Sequence, residues 1–289
     1  MISVEGLVKR YGDVEAVGGI DFSVETGEVF GLVGPNGAGK TSTLKMIAGL
    51  VEPTAGTVTV EGFDAADPAM RERLGFLPEE SPLYEEMTPL GYLHFFADLY
   101  DVPRESADER IEEALDRLDL TARDRPVGDF SKGMKRKVAI ARSLVNDPTV
   151  LVYDEPASGL DPLTTNTVVE FTRELADRGK TVVFSAHDLY HVESVCDRVA
   201  IMRDGRIAAK GTLEEIRTEF GGIEYRVFTD VEIDGAEPAG DRWVTTVERM
   251  ADVEALRERA ASAGGSVVDI RTRESSLEDL FLQVTGAEA

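Results

Sequence analysis

Residues 34–42 read GPNGAGKTS, the spacing GxxxxGK followed by Thr, set between an apolar run and a helical pattern. That arrangement suits phosphate chemistry. Glycines let a loop curl until successive backbone N–H groups face inward, and the following helix adds the partial positive charge of its N-terminus. Gly34, Pro35, Asn36, Gly37, Ala38, Gly39, Lys40, Thr41 and Ser42 are therefore candidate phosphate-binding residues, with the Lys40 ammonium on the β- and γ-phosphates and the Thr41 hydroxyl on Mg²⁺. A second chemical element is VLVYDE at 150–155, an apolar strand ending in two adjacent carboxylates. Strand alternation points the two side chains in different directions. Asp154 suits the metal's ligand shell, and Glu155 suits a general base or water-positioning group beside the γ-phosphate. His187 follows the apolar run TVVFSA, so a neighbouring parallel strand would bring its imidazole to the same edge.

These residues need a sheet to hold them. VFGLV at 29–33 is a continuous apolar run of the kind found in buried parallel strands, and a helix is expected over 43–49. β-rich segments at 2–8, 19–24 and 56–60 and a strand at 74–77 surround them. Helices are expected over 89–99, 107–118 and 132–145, making the middle block mainly helical. The rhythm then continues with strand 150–153, helix 164–178, strand 181–185, helix 189–196 and strands 198–202 and 206–209. Alternating strands and helices imply an α/β fold with a largely parallel sheet. After residue 220 the pattern changes to a small α+β module with strands at 224–228, 243–247 and 266–272, an acidic loop at 234–241, and helices over 252–263 and 276–284. Ser275 and Glu278 have the spacing of a capping box for the last helix. The expected organisation is thus a domain at 1–220, with a helical subdomain near 80–147, and an accessory domain at 221–289.

The chain has 289 residues, 55 acidic against 31 basic, for a net charge of −24. With 42% hydrophobic residues it can bury a large core, which excludes overall disorder. No stretch approaches the roughly 18 apolar residues of a membrane helix, and residues 1–13 lack the features of a secretory signal. The single Cys196 forms no internal disulfide and reads as a small packed side chain, so the expected location is the cytoplasm. Such an acidic chain repels nucleic acid unless it has a local basic patch, and Lys132, Lys135, Arg136 and Lys137 form the one dense cluster. The 8 Lys against 23 Arg and the evenly spread acids fit either a host with a salt-rich cytoplasm or an ordinary acidic protein.

Taken together, residues 2–213 resemble the nucleotide-binding subunit of ATP-binding cassette (ABC) transporters. DFSKGMKRKVAIARSL at 129–144 is similar to the family signature, with Ser131 and Gly133 at its Ser and second Gly positions. SGLDP at 158–162, including Asp161, resembles the D-loop, and SAHD at 185–188 the switch-histidine segment. Tyr11 falls where the family stacks a ring on adenine. The resemblance implies a P-loop ATPase core using ATP and Mg²⁺, in which two cassettes close head to tail so that the signature of one completes the phosphate site of the other. ATP closure and hydrolysis would then drive a separate membrane permease, placing the chain peripherally on the cytoplasmic face of the membrane. Two departures stand out. FSKGM replaces the common LSGGQ, so that Lys132 either adds charge near the partner's phosphates or projects to solvent. Glu79 replaces a usual glutamine, as a ligand for Mg²⁺ and a reporter on the permease. Both variants, and the C-terminal SSLEDLFLQVTG, resemble the exporter branch. The alternatives are a soluble ABC ATPase acting on a ribosome or DNA complex, and a nucleotide sensor without turnover.

Overall fold

Three apolar runs, VFGLV, VLVY and TVVFSA, are buried along their whole length, as strands covered on both faces must be. The structure, a computed structural model, describes residues 1–186, 189–220, 223–247, 249–274 and 276–285. It opens with the hairpin β1 (Ile2–Tyr11) and β2 (Val14–Val24), then β3 (Val29–Val33), α1 (Lys40–Ile47), β4 (Ala55–Val60), β5 (Phe63–Asp64), α2 (Pro68–Arg71) and β6 (Leu74–Leu77). Next come α3 (Pro89–Leu99), α4 (Arg104–Arg117) and α5 (Lys132–Arg142), followed by β7 (Val150–Tyr153), α6 (Pro162–Asp177), β8 (Thr181–Ala186), α7 (Leu189–Val195), β9 (Arg198–Arg203) and β10 (Arg206–Gly211). The chain ends with α8 (Leu213–Phe220), β11 (Ile223–Thr229), β12 (Glu237–Ala239), β13 (Arg242–Val247), α9 (Met250–Ser262), β14 (Val267–Glu274) and α10 (Leu277–Thr285).

The central sheet has the order β10-β9-β3-β8-β7-β6, parallel from β9 to β6 with β10 antiparallel at one edge. A second, antiparallel sheet has the order β2-β1-β4-β5. This is the expected α/β architecture with an antiparallel β part. Leu44, Met46 and Ile47 of α1 join Ile2, Leu7 and Val24 of the antiparallel sheet and Phe30 and Leu32 of β3 in one core. Phe22 stacks on Phe30 with centroids 5.2 Å apart. The start of α1 is thereby fixed against both sheets. The helices α3, α4 and α5 pack on one another, through buried residues such as Leu93, Ile111 and Val138. Cys196 lies over Gly31, and burial pushes its thiol well above the ordinary range, as expected for a packed rather than reactive side chain.

The chain divides into two compact units, Met1–Thr212 and Leu213–Ala289, ahead of the expected boundary at 220. The reason is α8, which packs against α10 and so belongs with the second unit. In that unit the sheet order is β12-β13-β11-β14, all antiparallel, and α9 covers it with Val253, Leu256 and Ala260 against Val227. The short β12 lies inside the stretch expected to be a loop. The cap of α10 is shifted by one residue. The Ser276 hydroxyl accepts from the Asp279 N–H, and the Asp279 carboxylate accepts from the Ser276 N–H, while Ser275 lies outside the described residues.

Candidate nucleotide site

Because β3, β6, β7 and β8 are parallel, the residues that follow them in sequence meet at one edge of the sheet. The loop after β3 leads into α1 through Gly39, whose φ of 101° is left-handed. A Cβ there would stand 2.5 Å from the Ala16 carbonyl oxygen, and one on Gly34 would stand 2.4 Å from that of Met202. Glycine is required at both places by close backbone approach. The first turn of α1 has no acidic residue, so its N-terminal dipole is not offset locally. The Lys40 ammonium, 6% exposed, donates to the Gly34 carbonyl at 2.7 Å and the Pro35 carbonyl at 3.2 Å, and lies 3.7 Å from Glu155 Oε1.

At the end of β7, Asp154 is 1% exposed. Its Oδ1 accepts from the Ser185 hydroxyl at 2.6 Å and from the Thr41 hydroxyl at 3.2 Å, which joins β8 and α1 to β7. The same Ser185 oxygen accepts the Glu155 N–H at 2.9 Å. Glu155 adopts φ 48°, a conformation unusual for a residue with a side chain. Asp154 and Glu155 thus diverge, one toward Thr41 and the other toward Lys40.

A cleft of about 690 Å³ collects Tyr11, Asn36, Gly37, Ala38, Gly39, Lys40, Thr41, Ser42, Glu79 and Glu155. Tyr11 is 48% exposed, with its ring available at the mouth and Lys9 Nζ 5.0 Å from the ring centroid. The structure does not bring Ser131, Gly133 or Asp161 into this cleft. Ser131 caps α5, its hydroxyl accepting from the Met134 N–H at 3.3 Å. Asp161 caps α6, accepting from both the N–H and the hydroxyl of Thr164, bonds that hold its carboxyl below the usual range. The start of α5 lies against the start of α6, since a Cβ on Gly133 would stand 3.1 Å from Thr164. His187 lies outside the described residues.

The basic cluster expected near 132–137 is not one surface patch. Arg136 and Lys137 are both buried, and Lys137 points its ammonium at the Asp119 carbonyl. Ser185 and Arg136 are the site residues that sequence reasoning missed as individuals. A hydroxyl at a strand end and a cation inside an amphipathic helix give no spacing signal of their own.

The ABC transporter family pattern matches residues 17–158. Over 304 residues the chain is 36% identical to Nod factor export ATP-binding protein I of Burkholderia lata, an alignment that spans 99% of this chain and 97% of that protein. The chain belongs to the ABC transporter ATP-binding proteins. This ABC ATPase is also 33% identical over 306 residues to linearmycin resistance ATP-binding protein LnrL of Bacillus subtilis, across 99% of this chain and 98% of the relative. A solved ATP-binding subunit of an ABC transporter superposes with TM-score 0.70 and 35% identity, covering 76% of this chain and 93% of its own. The cassette MJ0796, in a dimeric post-hydrolysis state with ADP and Pi, superposes with TM-score 0.67 and 25% identity, covering 74% and 99%. The expected P-loop ABC ATPase fold and ATP-hydrolysing activity are therefore those of this ABC ATPase, and the ribosome or DNA alternative is set aside. Among its described residues no helix is long and apolar enough to cross a membrane.

Gly39→Ala places an L-residue at φ 101° against the Ala16 carbonyl. A left-handed L-residue costs about 1–2 kcal/mol, and about 1.4 kcal/mol is tenfold in affinity. Fluorescent-nucleotide titration is expected to show ATP binding weakened by about tenfold or more.

Proposed function

We propose that this ABC ATPase is the energy-coupling subunit of an exporter, with Glu155 as the group that activates water. The observation that carries the chemistry is the convergence of Lys40 and Thr41 of α1 with Asp154 and Glu155 from the end of β7, joined by Ser185 of β8, on one sheet edge. Water attacks the γ-phosphorus, its proton passes to the Glu155 carboxylate, and the bond between the γ-phosphorus and the β–γ bridging oxygen breaks, leaving ADP and phosphate. Lys40 and the loop N–H groups from Gly34 to Ser42 orient the phosphates, with Pro35, Asn36, Gly37, Ala38 and Gly39 shaping the loop. His187 is assigned to the γ-phosphate as a second polar group. Tyr11 offers its ring to adenine.

The Thr41 hydroxyl and Asp154 carboxylate, 3.2 Å apart, are the pair suited to Mg²⁺, with Glu79 as a further oxygen donor from the cleft wall. Mg²⁺ supplies neutralisation of phosphate charge when bound. Ser131, Gly133 and Asp161 stand outside their own chain's cleft. They are assigned to the phosphate site of a second cassette, a homodimer or a paralogue, in the head-to-tail arrangement. The N-terminus of α5, with its dipole and its first-turn N–H groups, suits an anion arriving from outside.

Export is supported by relatives named for Nod factor export and for linearmycin and daunorubicin resistance. The working partner is a separate integral membrane permease, which places this chain on the cytoplasmic face of the membrane. Mild-detergent purification from host membranes is expected to recover a multi-helix membrane protein in stoichiometric amount. Recovery only with ribosomal or DNA-associated proteins would overturn the exporter reading. Glu155→Gln is expected to retain ATP binding while turnover falls by about 10²–10⁴-fold, the usual contribution of a general base. Wild-type phosphate release by that variant would remove Glu155 from the chemistry.

A further inference from the structure

Arg136 lies on α5 but points away from the surface, 8% exposed, into a cage made of main-chain oxygens. Its Nε donates to the Pro156 carbonyl at 2.8 Å. One terminal nitrogen donates to the Pro78 and Glu79 carbonyls at 2.7 and 3.0 Å, and the other to the Asp154 and Glu155 carbonyls, both at 2.8 Å. All five N–H donors of the guanidinium are thereby used, each on a backbone oxygen and none on a carboxylate. Burial pushes the pKa of this group down to about 10, leaving it a cation throughout the physiological range.

The five oxygens belong to two segments remote in sequence, the turn after β6 and the turn after β7. Without a cation between them, these carbonyl dipoles converge and repel. The planar fork of one guanidinium satisfies them together, which a point-like ammonium with three donors does not. Glu155 is the residue most affected. Its left-handed backbone at φ 48° is anchored on the N–H side by the Ser185 hydroxyl and on the carbonyl side by Arg136. A strained conformation of this sort persists only where its surroundings determine it from both ends.

We infer that Arg136 is a positioning residue for hydrolysis, clamping the Glu79 and Glu155 turns together so that the Glu155 carboxylate is held toward the cleft. This inference rests on the reading of Glu155 as the group that activates water. Arg136 spends its five donors on 78–79 and 154–156 and none on the phosphate loop. Loss of the clamp should therefore act on turnover and spare nucleotide affinity.

The test compares Arg136→Gln, Arg136→Lys and Glu155→Gln in the full chain, measuring kcat, fluorescent ATP affinity and melting temperature on the same preparations. Arg136→Gln is expected to lose about a hundredfold in kcat, as displacement of a catalytic group by about an ångström does, with ATP affinity retained. Arg136→Lys keeps the charge but not the fork, and is expected to recover part of that loss. The inference is overturned if Arg136→Gln turns over within about twofold of wild type. It is equally overturned if kcat, affinity and melting temperature fall in parallel with no recovery by Lys, the mark of a packing role. Glu155→Gln separates the two levels. Wild-type turnover in that variant removes the reading of Glu155 and this inference with it, whereas an inactive Glu155→Gln beside a fully active Arg136→Gln removes the inference alone.

Discussion

Parallel pairing of β3 with β8 and β9, and of β7 with β6 and β8, is the constraint from which the site follows. Parallel strands cannot be joined by tight turns, so the chain returns over a face of the sheet between them and each strand ends at the same edge. Lys40, Glu79, Asp154 and Glu155 are far apart in sequence, yet they meet there without any long loop being ordered for the purpose. The strands' burial on both faces makes that edge rigid. Hydrogen bonds between elements then refine it. Asp154 accepts from Thr41 and Ser185, and Lys40 is held by the carbonyls of its own loop.

The charge balance of the edge follows from the same construction. One buried cation, Lys40, faces the buried carboxylates, and a second, Arg136, faces main-chain oxygens behind them. Neither cation belongs to a surface ion pair of the kind that contributes little. Each is surrounded by groups whose desolvation has to be offset by hydrogen bonds, which Arg136 makes with all five of its donors and Lys40 makes to two loop carbonyls. The acidic surface is therefore a property of the chain's exterior, separate from the electrostatics of its cleft.

Much of the site was legible because its chemistry is local in sequence. The phosphate loop and the paired carboxylates are short runs, and three buried strands were continuous apolar segments whose periodicity needs no tertiary information. What escaped depends on tertiary context. The short helix α8 opens on Thr212-Leu213-Glu214-Glu215, a capping-box spacing that marks its start, but its membership of the second unit comes from packing on α10. Arg136 and Lys137 read as surface charge because composition cannot distinguish a cation in water from one inside a cage of carbonyls. Ser185 is an ordinary strand-end residue until β7 is placed beside β8.

The central claim is that one chain holds two halves of a site that never meet within it: a phosphate cleft containing Lys40 and Glu155, and the exposed start of α5 with Ser131 outside that cleft. Mixing tests this directly. A Lys40→Ala chain lacks the first half and a Ser131→Glu chain lacks the second, so each alone should be inactive in steady-state ATP hydrolysis. Combined, they can form one intact composite site per pair, from Lys40 of the Ser131→Glu chain and Ser131 of the Lys40→Ala chain, and activity should appear on mixing. No activity at any mixing ratio, with both variants folded, would contradict the account, as would full activity of the Ser131→Glu chain by itself.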